Sequence, residues 1–319
     1  MDPPETTAAW YSRFSAQAAE GSAAYARLAA TVAETPPVLD LLDTLPEQKR
    51  QPNLLFAAAR VLGAPVEDPT GFARWVPVHW DPLAALMLRR RTQTNEPRRC
   101  ATLLPFLAAL PGPLALLEVG ASAGLCLFPD RWRYRYDDHT LGEPSAPLLT
   151  CSPIGPFEPP RRIPEVVWRA GIDLDPPDVT DPDDVAWLEA LIWPGQPERL
   201  ERLRQAIALA RRDPPRLVSG DLNDELPALA ASAPAEATLV VFHSAVLTYL
   251  SGPDRERFVA QVTALPGHWV SNEAPEVLPT IAARVPAGRE DTRHRFLTAV
   301  DGVPQAWSGG HGQTIELLR

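Results

Sequence analysis

A short apolar run that leads into a loop of small residues, LALLEVGASAGL at residues 114–125, most constrains the fold of this chain. Leu114 to Val119 are apolar except for Glu118, and such a run is typical of a buried parallel strand. The glycines that follow predict a tight turn into the next element. The stretch therefore predicts the first strand and turn of a βα unit.

Strands and helices alternate after this stretch. The predicted strands are 131–136, 148–151, 165–174, 216–219, 237–243, 268–272, 296–300 and 314–318. The predicted helices are 183–193, 197–212, 222–231 and 253–265. This alternation predicts a mostly parallel sheet with helices on both faces. The last two strands are expected to pair with each other as an antiparallel hairpin.

The first third of the chain has a different pattern, in which apolar residues recur at helical spacing. We predict helices over 5–34, 37–45, 52–62, 81–91 and 96–110, and no strand before residue 114. The chain is accordingly expected to divide into a helical region, 1–110, and a sheet domain, 111–319. We interpret the helical region as a cap over the sheet domain.

Composition excludes several classes of function. The formal net charge of −10 and the pI of about 5.2 argue against partners such as nucleic acid or an anionic membrane surface. The three cysteines contain no C-x-x-C pair, and H-E-x-x-H is absent, so we expect neither a disulfide framework nor a metal site. No apolar run reaches membrane-spanning length, and we expect a cytoplasmic protein. As its partner we expect a small-molecule substrate.

The loop after the first strand fits two chemistries, of which the first is nucleophilic catalysis. Gly120, Ser122 and Gly124 spell G-x-S-x-G, the nucleophile elbow of α/β-hydrolases. Candidate partners follow in the order acid then histidine, namely Asp221 or Asp224, then His243, His268, His294 or His311. The helical region upstream, the lack of an oxyanion loop and the charge of Glu118 in the strand weigh against this interpretation.

The second chemistry is cofactor binding at the end of a sheet. Glu118 precedes the loop of Gly120, Ser122 and Gly124, as the acid that holds an ammonium does in methyltransferases that use S-adenosylmethionine. Asp221 and Leu222 follow the strand 216–219, where a carboxylate and a backbone N–H would meet an adenine.

An acid for the ribose hydroxyls is expected at the end of the second strand of such a domain. Asp173 has this place if residues 129–164 are an insertion. Asp137 or Asp138 has it if they are not, because these acids lie nearer the usual spacing from the first loop. We prefer Asp173.

Three long motifs carry a resemblance to a known family: LLEVGASAGLCLFPDRWRYRY, VVWRAGIDLDPPDVTDPDDVAWLEALIWP and LVVFHSAVLTYL. The sequence resembles an actinobacterial family of unknown function, family 2332, over most of its length. Members of that family resemble class I S-adenosylmethionine-dependent methyltransferases in fold. The resemblance implies a Rossmann-like methyltransferase sheet with S-adenosylmethionine as cofactor. It also implies that Glu118, Gly120, Ser122 and Gly124 form the first loop, with Asp221 and Leu222 at the adenine.

Two residues that follow later strands are the candidates for catalysis. His243 ends the strand 237–243 and is predicted to act as a general base, and Glu273 follows the strand 268–272. The sequence lacks the Asn/Asp-Pro-Pro-aromatic stretch of amino-directed enzymes, which favours an oxygen acceptor or no specificity for nitrogen. We therefore predict methyl transfer to a small molecule. The alternatives are a non-catalytic nucleotide- or metabolite-binding protein and, third, a serine hydrolase that uses Ser122.

Overall fold

The structure, a computed structural model, describes residues 6–291 and 295–318 and shows a mixed α/β protein. The helices of the described residues are α1 (Thr7–Ala18), α2 (Ala23–Ala33), α3 (Pro36–Leu42), α4 (Pro52–Val61), α5 (Pro69–Val78), α6 (Trp80–Arg89), α7 (Arg99–Leu107), α8 (Pro182–Ala190), α9 (Pro197–Arg212), α10 (Leu222–Ala230), α11 (Gly252–Ala264) and α12 (Pro279–Ala282). None of them has both the length and the apolar character needed to cross a bilayer.

The strands form one mostly parallel sheet. They are β1 (Leu114–Val119), β2 (Arg133–Tyr136), β3 (His139–Leu141), β4 (Leu148–Pro153), β5 (Val166–Asp173), β6 (Arg216–Ser219), β7 (Thr238–Ser244), β8 (His268–Glu273), β9 (Phe296–Val300), β10 (Val303–Ser308) and β11 (Thr314–Leu317). Their order across the sheet is β3-β2-β4-β11-β10-β9-β8-β7-β1-β5-β6. The predicted mostly parallel sheet agrees with this arrangement, and no strand lies in the described residues 6–113, as predicted.

The chain divides into two compact units, and their boundaries differ from the predicted boundary at residue 110. The first unit consists of Met1–Thr94 and Thr180–Glu201, and the second of Asn95–Val179 and Arg202–Arg319. Helix α7 thus belongs to the second unit, whereas α8 belongs to the first. The physical reason lies in Trp187 of α8, which is 2% exposed and packs in the same apolar core as α1 to α6.

The helical unit has an aromatic centre, in which the Phe56 ring contacts the Tyr11, Tyr25 and Phe72 rings. The single helix predicted over 5–34 is wrong, because the chain turns between α1 and α2 and the Ser22 hydroxyl caps α2 by accepting from the Tyr25 N–H. Residue 5 lies outside the described residues. Helix α5 was not predicted at all, since its glycine and two prolines obscure the helical pattern.

The segment 129–164, predicted as an insertion, extends the sheet with β2, β3 and β4. Strand β2 pairs with β4 in parallel, and β4 pairs with β11 in parallel. The alternation of arginine and tyrosine in β2 buries Tyr134 and Tyr136, whose hydroxyls donate to the carbonyls of Pro129 and Ala101. The predicted amphipathic strand is therefore present.

The predicted C-terminal hairpin is wrong in its pairing. Strand β10, which was not predicted, lies between β9 and β11 and pairs antiparallel with both. Asp301 and Gly302, both with positive φ, form the two-residue turn between β9 and β10. Pro304 and a register shift beside it interrupt the strand pattern of β10, which explains why the sequence did not indicate it.

Five neighbouring parallel strands, β6-β5-β1-β7-β8, set the position of the candidate site. The chain runs from β1 to β5 and β6 on one side, and then to β7 and β8 on the other side of β1. The carboxyl ends of all five strands therefore share one edge of the sheet, and the order of connection reverses beside β1. Such a reversal leaves a crevice outside the strand ends, where open α/β sheets bind ligands.

Candidate functional site

Three acids predicted to bind a cofactor lie at or just beyond the ends of three adjacent strands at this edge. Glu118 lies near the end of β1, Asp173 ends β5, and Asp221 follows β6 by two residues. Asp137 and Asp138 instead form the turn between β2 and β3, in the part of the sheet that lies beyond β4. Of the acids considered for the ribose, Asp173 is therefore the one beside the first loop.

The Glu118 carboxyl is buried without a hydrogen-bond partner. Its residue is 6% exposed, and the Oε2 atom has no partner in the described structure. Burial raises the pKa of Glu118 well above its ordinary value, the nearby Cys126 and Asp173 raise it further, and the positive charge of Arg99 opposes the rise. A cation placed against this carboxyl would favour its ionised form.

Arg99, which begins α7, lies near Glu118 without forming an ion pair with it. Its Nε atom donates to the Gly310 carbonyl at 3.0 Å, and its Nη1 atom donates to the Ser244 carbonyl at 3.0 Å. No hydrogen bond of Nη2 occurs among the described residues, and the guanidinium lies 5.9 Å from the centre of the Phe296 ring. A buried cation and a buried acid thus stand close together, each with hydrogen-bonding capacity unused.

The loop that follows β1 has the backbone of a tight turn, with positive φ at Gly120, Ser122 and Gly124. The Ser122 N–H donates to Asp173 Oδ2 at 2.7 Å, which ties the loop to the end of β5. A Cβ atom added at Gly120 would lie 2.4 Å from a methyl carbon of Val246. The Val246 side chain, rather than open space, therefore covers the first glycine.

Gly120→Ala is expected to destabilise the fold by about 2 kcal/mol or more, because it combines left-handed backbone with a clash. Urea unfolding of the variant measures the loss. Shortening Val246 to alanine in the same chain removes the two methyl carbons that clash most, but leaves the Val246 Cβ 3.0 Å away and the backbone strain, so the double variant is expected to recover part of the stability. A single variant as stable as the parent protein would contradict this account of the loop.

The Ser122 hydroxyl accepts a hydrogen bond from the Asn95 amide, at 2.7 Å, and Asn95 Oδ1 accepts from the Ala123 N–H. An amide cannot take the proton of a serine nucleophile. Of its predicted partners, His268 pairs with Asp301 at the other end of β8, and His294 lies outside the described residues. The geometry of Ser122 therefore does not support the hydrolase hypothesis.

His243, the predicted general base, has both ring nitrogens occupied. The indole N–H of Trp269 donates to Nε2 at 3.0 Å, so the proton is on Nδ1, which donates to Glu273 Oε1 at 2.7 Å. The residue is fully buried. A base needs a free lone pair within reach of its substrate, and His243 offers none, so the geometry assigns it a structural role.

Glu273, the second predicted catalytic residue, anchors the turn that follows β7. Its Oε1 atom accepts from His243 and from the N–H groups of Val246 and Leu247, at 2.8 and 3.0 Å. The turn begins at Ala245, whose φ is 59°. Oε1 thus holds the backbone that covers the glycine loop, which gives Glu273 a structural role, while its Oε2 atom is buried without a hydrogen-bond partner among the described residues.

The two residues predicted to contact the adenine differ in the exposure of their side chains. The Asp221 side chain is exposed and caps α10 by accepting from the Asn223 N–H at 2.8 Å. The Leu222 side chain is 9% exposed and packs in the core beneath the sheet. Only the backbone of Leu222 and the carboxylate of Asp221 are therefore placed for a ligand at this edge.

A row of polar side chains across β7 to β10, buried except for the half-buried Ser244, was not predicted as a unit. Asn272 donates to Ser244 Oγ at 2.8 Å, and its Oδ1 accepts from Thr298 at 3.1 Å and from Ser308 at 2.8 Å. The only signal in the sequence is a polar residue at a buried position of each strand. Which of these residues meet depends on strand pairing, including the β10 strand that the sequence did not indicate.

Comparison with known families identifies a family but names no activity. A family described as "Uncharacterized protein conserved in bacteria (DUF2332)" matches residues 67–317. The chain belongs to this family. No curated protein matches the chain.

Proposed function

We propose that this protein is a methyltransferase that uses S-adenosylmethionine and acts on a small molecule. The observation that carries the proposal is the buried Glu118 carboxyl near the end of β1, one oxygen of which has no partner in the part of the chain that the structure describes. A buried polar atom without a partner is costly, and a bound ligand removes the cost if it brings the missing group. The α-ammonium of S-adenosylmethionine is such a group.

The sheet supports the same proposal. Numbered by their own chain order, the five parallel strands have the order 3-2-1-4-5, which is that of doubly wound nucleotide-binding sheets. We infer a Rossmann-like fold of the class I methyltransferase kind for the second unit. Its additional strands, β2 to β4 and β9 to β11, lie together beyond β8.

Asp173 and Asp221 fit the nucleoside part of the cofactor. A nucleoside that extends from Glu118 along the strand ends would meet Asp173 next and Asp221 after it, because β5 and β6 follow β1 in the sheet. Carboxylate oxygens accept hydrogen bonds from ribose hydroxyls and from the adenine amino group. When bound, the cofactor would supply an electrophilic methyl group.

One observation favours a second candidate, a nucleotide- or metabolite-binding protein without catalysis on the same fold. Val246 covers Gly120, where the main chain of a dinucleotide-binding loop lies against its ligand. In this case the ligand would be bound by the acids at the carboxyl ends of β1, β5 and β6, and the backbone of the glycine loop would not contact it closely. The two candidates share a ligand-binding edge and differ in turnover.

Calorimetric titration with S-adenosylhomocysteine tests the proposal. We expect micromolar binding by the full chain, weakened about 10-fold by Asp173→Asn or Asp221→Asn, since each loses a charged acceptor. Glu236→Gln removes one negative charge from an exposed position and is the matched control. Absence of heat with folded, ligand-free protein would overturn the proposal, whereas binding without methyl transfer to any tested acceptor would favour the second candidate.

A further inference from the structure

Two hydrogen-bond donors at the end of β7 remain without an acceptor in the part of the chain that the structure describes. One is Arg99 Nη2, whose guanidinium is held by the carbonyls of Gly310 and Ser244. The other is the hydroxyl hydrogen of Ser244, because Ser244 Oγ accepts from Asn272 and donates to no acceptor among the described residues. Arg99 is bonded directly to the Ser244 backbone, so the two donors are neighbours.

The buried polar row orients the Ser244 hydroxyl. Asn272 Oδ1 already accepts from Thr298 and Ser308, which fixes the amide so that its Nδ2 points to Ser244. Asn272, Thr298 and Ser308 are fully buried. A hydroxyl that receives a hydrogen bond from a fixed amide directs its own hydrogen elsewhere, and a charged donor beside it makes an anion the preferred acceptor.

We propose, on the basis of the function proposed above, that the methyl acceptor is a carboxylic acid whose carboxylate is bound by Arg99 and Ser244. One carboxylate oxygen accepts from these donors, and the other is methylated to give a methyl ester. A planar guanidinium is the side chain best matched to a carboxylate.

The position of the two donors favours the acceptor over the cofactor as the source of this carboxylate. The proposed cofactor would extend over β1, β5 and β6, whereas Ser244 ends β7 and Asn272 lies one residue before the end of β8, on the other side of β1. Ser244 lies two residues beyond Phe242, the register partner of Glu118, and therefore on the same face of the sheet as Glu118. The acceptor would thus lie beside the amino-acid end of the cofactor, next to the sulfonium.

A carboxylate also fits the chemistry of this half of the edge, because it needs no base. Of the residues that the sequence suggested for proton transfer, His243 has both ring nitrogens in hydrogen bonds, and Glu273 uses its Oε1 atom to hold His243 and the turn after β7. A bond forms between the carboxylate oxygen and the methyl carbon, and the bond between that carbon and sulfur breaks. The electron pair stays on sulfur as a neutral thioether, so no proton moves.

Binding of benzoate, with benzamide as the uncharged analogue, tests the acceptor site. Both are titrated into the full chain in the presence and absence of S-adenosylhomocysteine, and affinities are measured by ligand-observed NMR. The variants are Arg99→Gln and Ser244→Ala; the second leaves the backbone carbonyl intact and keeps the test valid if Arg99→Gln does not fold. Arg98→Gln removes the same charge from the adjacent residue and is the control.

We expect benzoate to bind and benzamide not to bind, and both variants to weaken benzoate at least ~10-fold while the control leaves it unchanged. When the wild type transfers a labelled methyl group from S-adenosylmethionine to an acceptor, mild base is expected to release the label from the product as methanol, because a methyl ester is hydrolysed by base. Benzoate binding that is equal in the variants and the control would overturn the proposal.

Titration with 5′-methylthioadenosine, which lacks the amino-acid group, separates the two sources of the carboxylate. If Arg99→Gln weakens S-adenosylhomocysteine but not 5′-methylthioadenosine, Arg99 holds the carboxylate of the cofactor, and the assignment to the acceptor is overturned. If the wild type binds benzoate through Arg99 but does not bind S-adenosylhomocysteine, the carboxylate site is supported and the proposed methyl transfer is overturned.

Discussion

Glu118→Gln is expected to weaken S-adenosylhomocysteine by about 10- to 100-fold and, at the same time, to stabilise the protein at neutral pH. The loss of affinity follows because a neutral amide cannot compensate the ammonium. The gain in stability follows because burial raises the pKa of Glu118 well above its usual range, so that ionising it in the folded state is costly.

The sign of the stability effect can be worked out from the pKa. Between the unfolded value near 4.5 and the raised folded value, the unfolded chain releases the Glu118 proton while the folded chain retains it. This group therefore lowers the free energy of unfolding as pH rises through that window, by up to about 1.4 kcal/mol per pH unit. Glutamine removes this contribution, and the advantage of the variant should grow as pH rises above 5, up to the raised pKa of Glu118 in the folded protein.

Urea unfolding at pH 5, 7 and 8 measures this trend, with Glu236→Gln as the exposed control. The control should follow the wild type at every pH and bind S-adenosylhomocysteine equally well. A Glu118→Gln protein that is less stable than the wild type at pH 8 would show that Glu118 has a structural partner. A variant that binds normally would remove Glu118 from the site.

Glu273→Ala is expected to destabilise the protein by about 3–5 kcal/mol, the largest loss that we predict for a single side chain. It leaves the His243 Nδ1–H and the N–H groups of Val246 and Leu247 without their common acceptor. Glu273→Gln keeps an acceptor oxygen and should cost less. Chemical unfolding measures both, and Glu276→Ala, an exposed acid three residues away, is the matched control.

This prediction separates a structural Glu273 from a catalytic one. A residue that acts only in catalysis can be removed with little loss of stability and a large loss of turnover. If Glu273→Ala unfolds at the same urea concentration as Glu276→Ala but loses methyl transfer, the hydrogen-bond account of Glu273 and His243 is contradicted.

Much of the sheet could be predicted from the sequence, because buried parallel strands are continuous apolar runs bounded by turn residues. Strands β1, β5, β6, β7 and β8 and the acids that follow three of them were indicated in this way. Strand β10 was not, since Pro304 and the bulge beside it break the pattern. Its absence from the prediction led directly to the wrong pairing of β9 with β11.

The roles of side chains were harder to predict than their positions. His243 was indicated as a base because it ends a strand at the ligand edge, but its function depends on Trp269 and Glu273, which lie on a different strand. The proposed pairing of Arg99 with Ser244 was not indicated for the same reason, since it arises from a contact between α7 and β7. Local patterns specify elements, whereas such contacts depend on the whole fold.

The central claim, that Glu118 holds the ammonium of a bound S-adenosylmethionine, is tested most directly by titration with S-adenosylhomocysteine in two buffers that differ in ionisation enthalpy. The raised pKa of Glu118 in the free protein predicts that binding releases a proton, because the ammonium favours the ionised carboxyl. We expect micromolar affinity with proton release in the wild type, and weak binding without that release in Glu118→Gln. No binding by the folded wild type, or equal affinity and equal proton release in the variant, would contradict the claim.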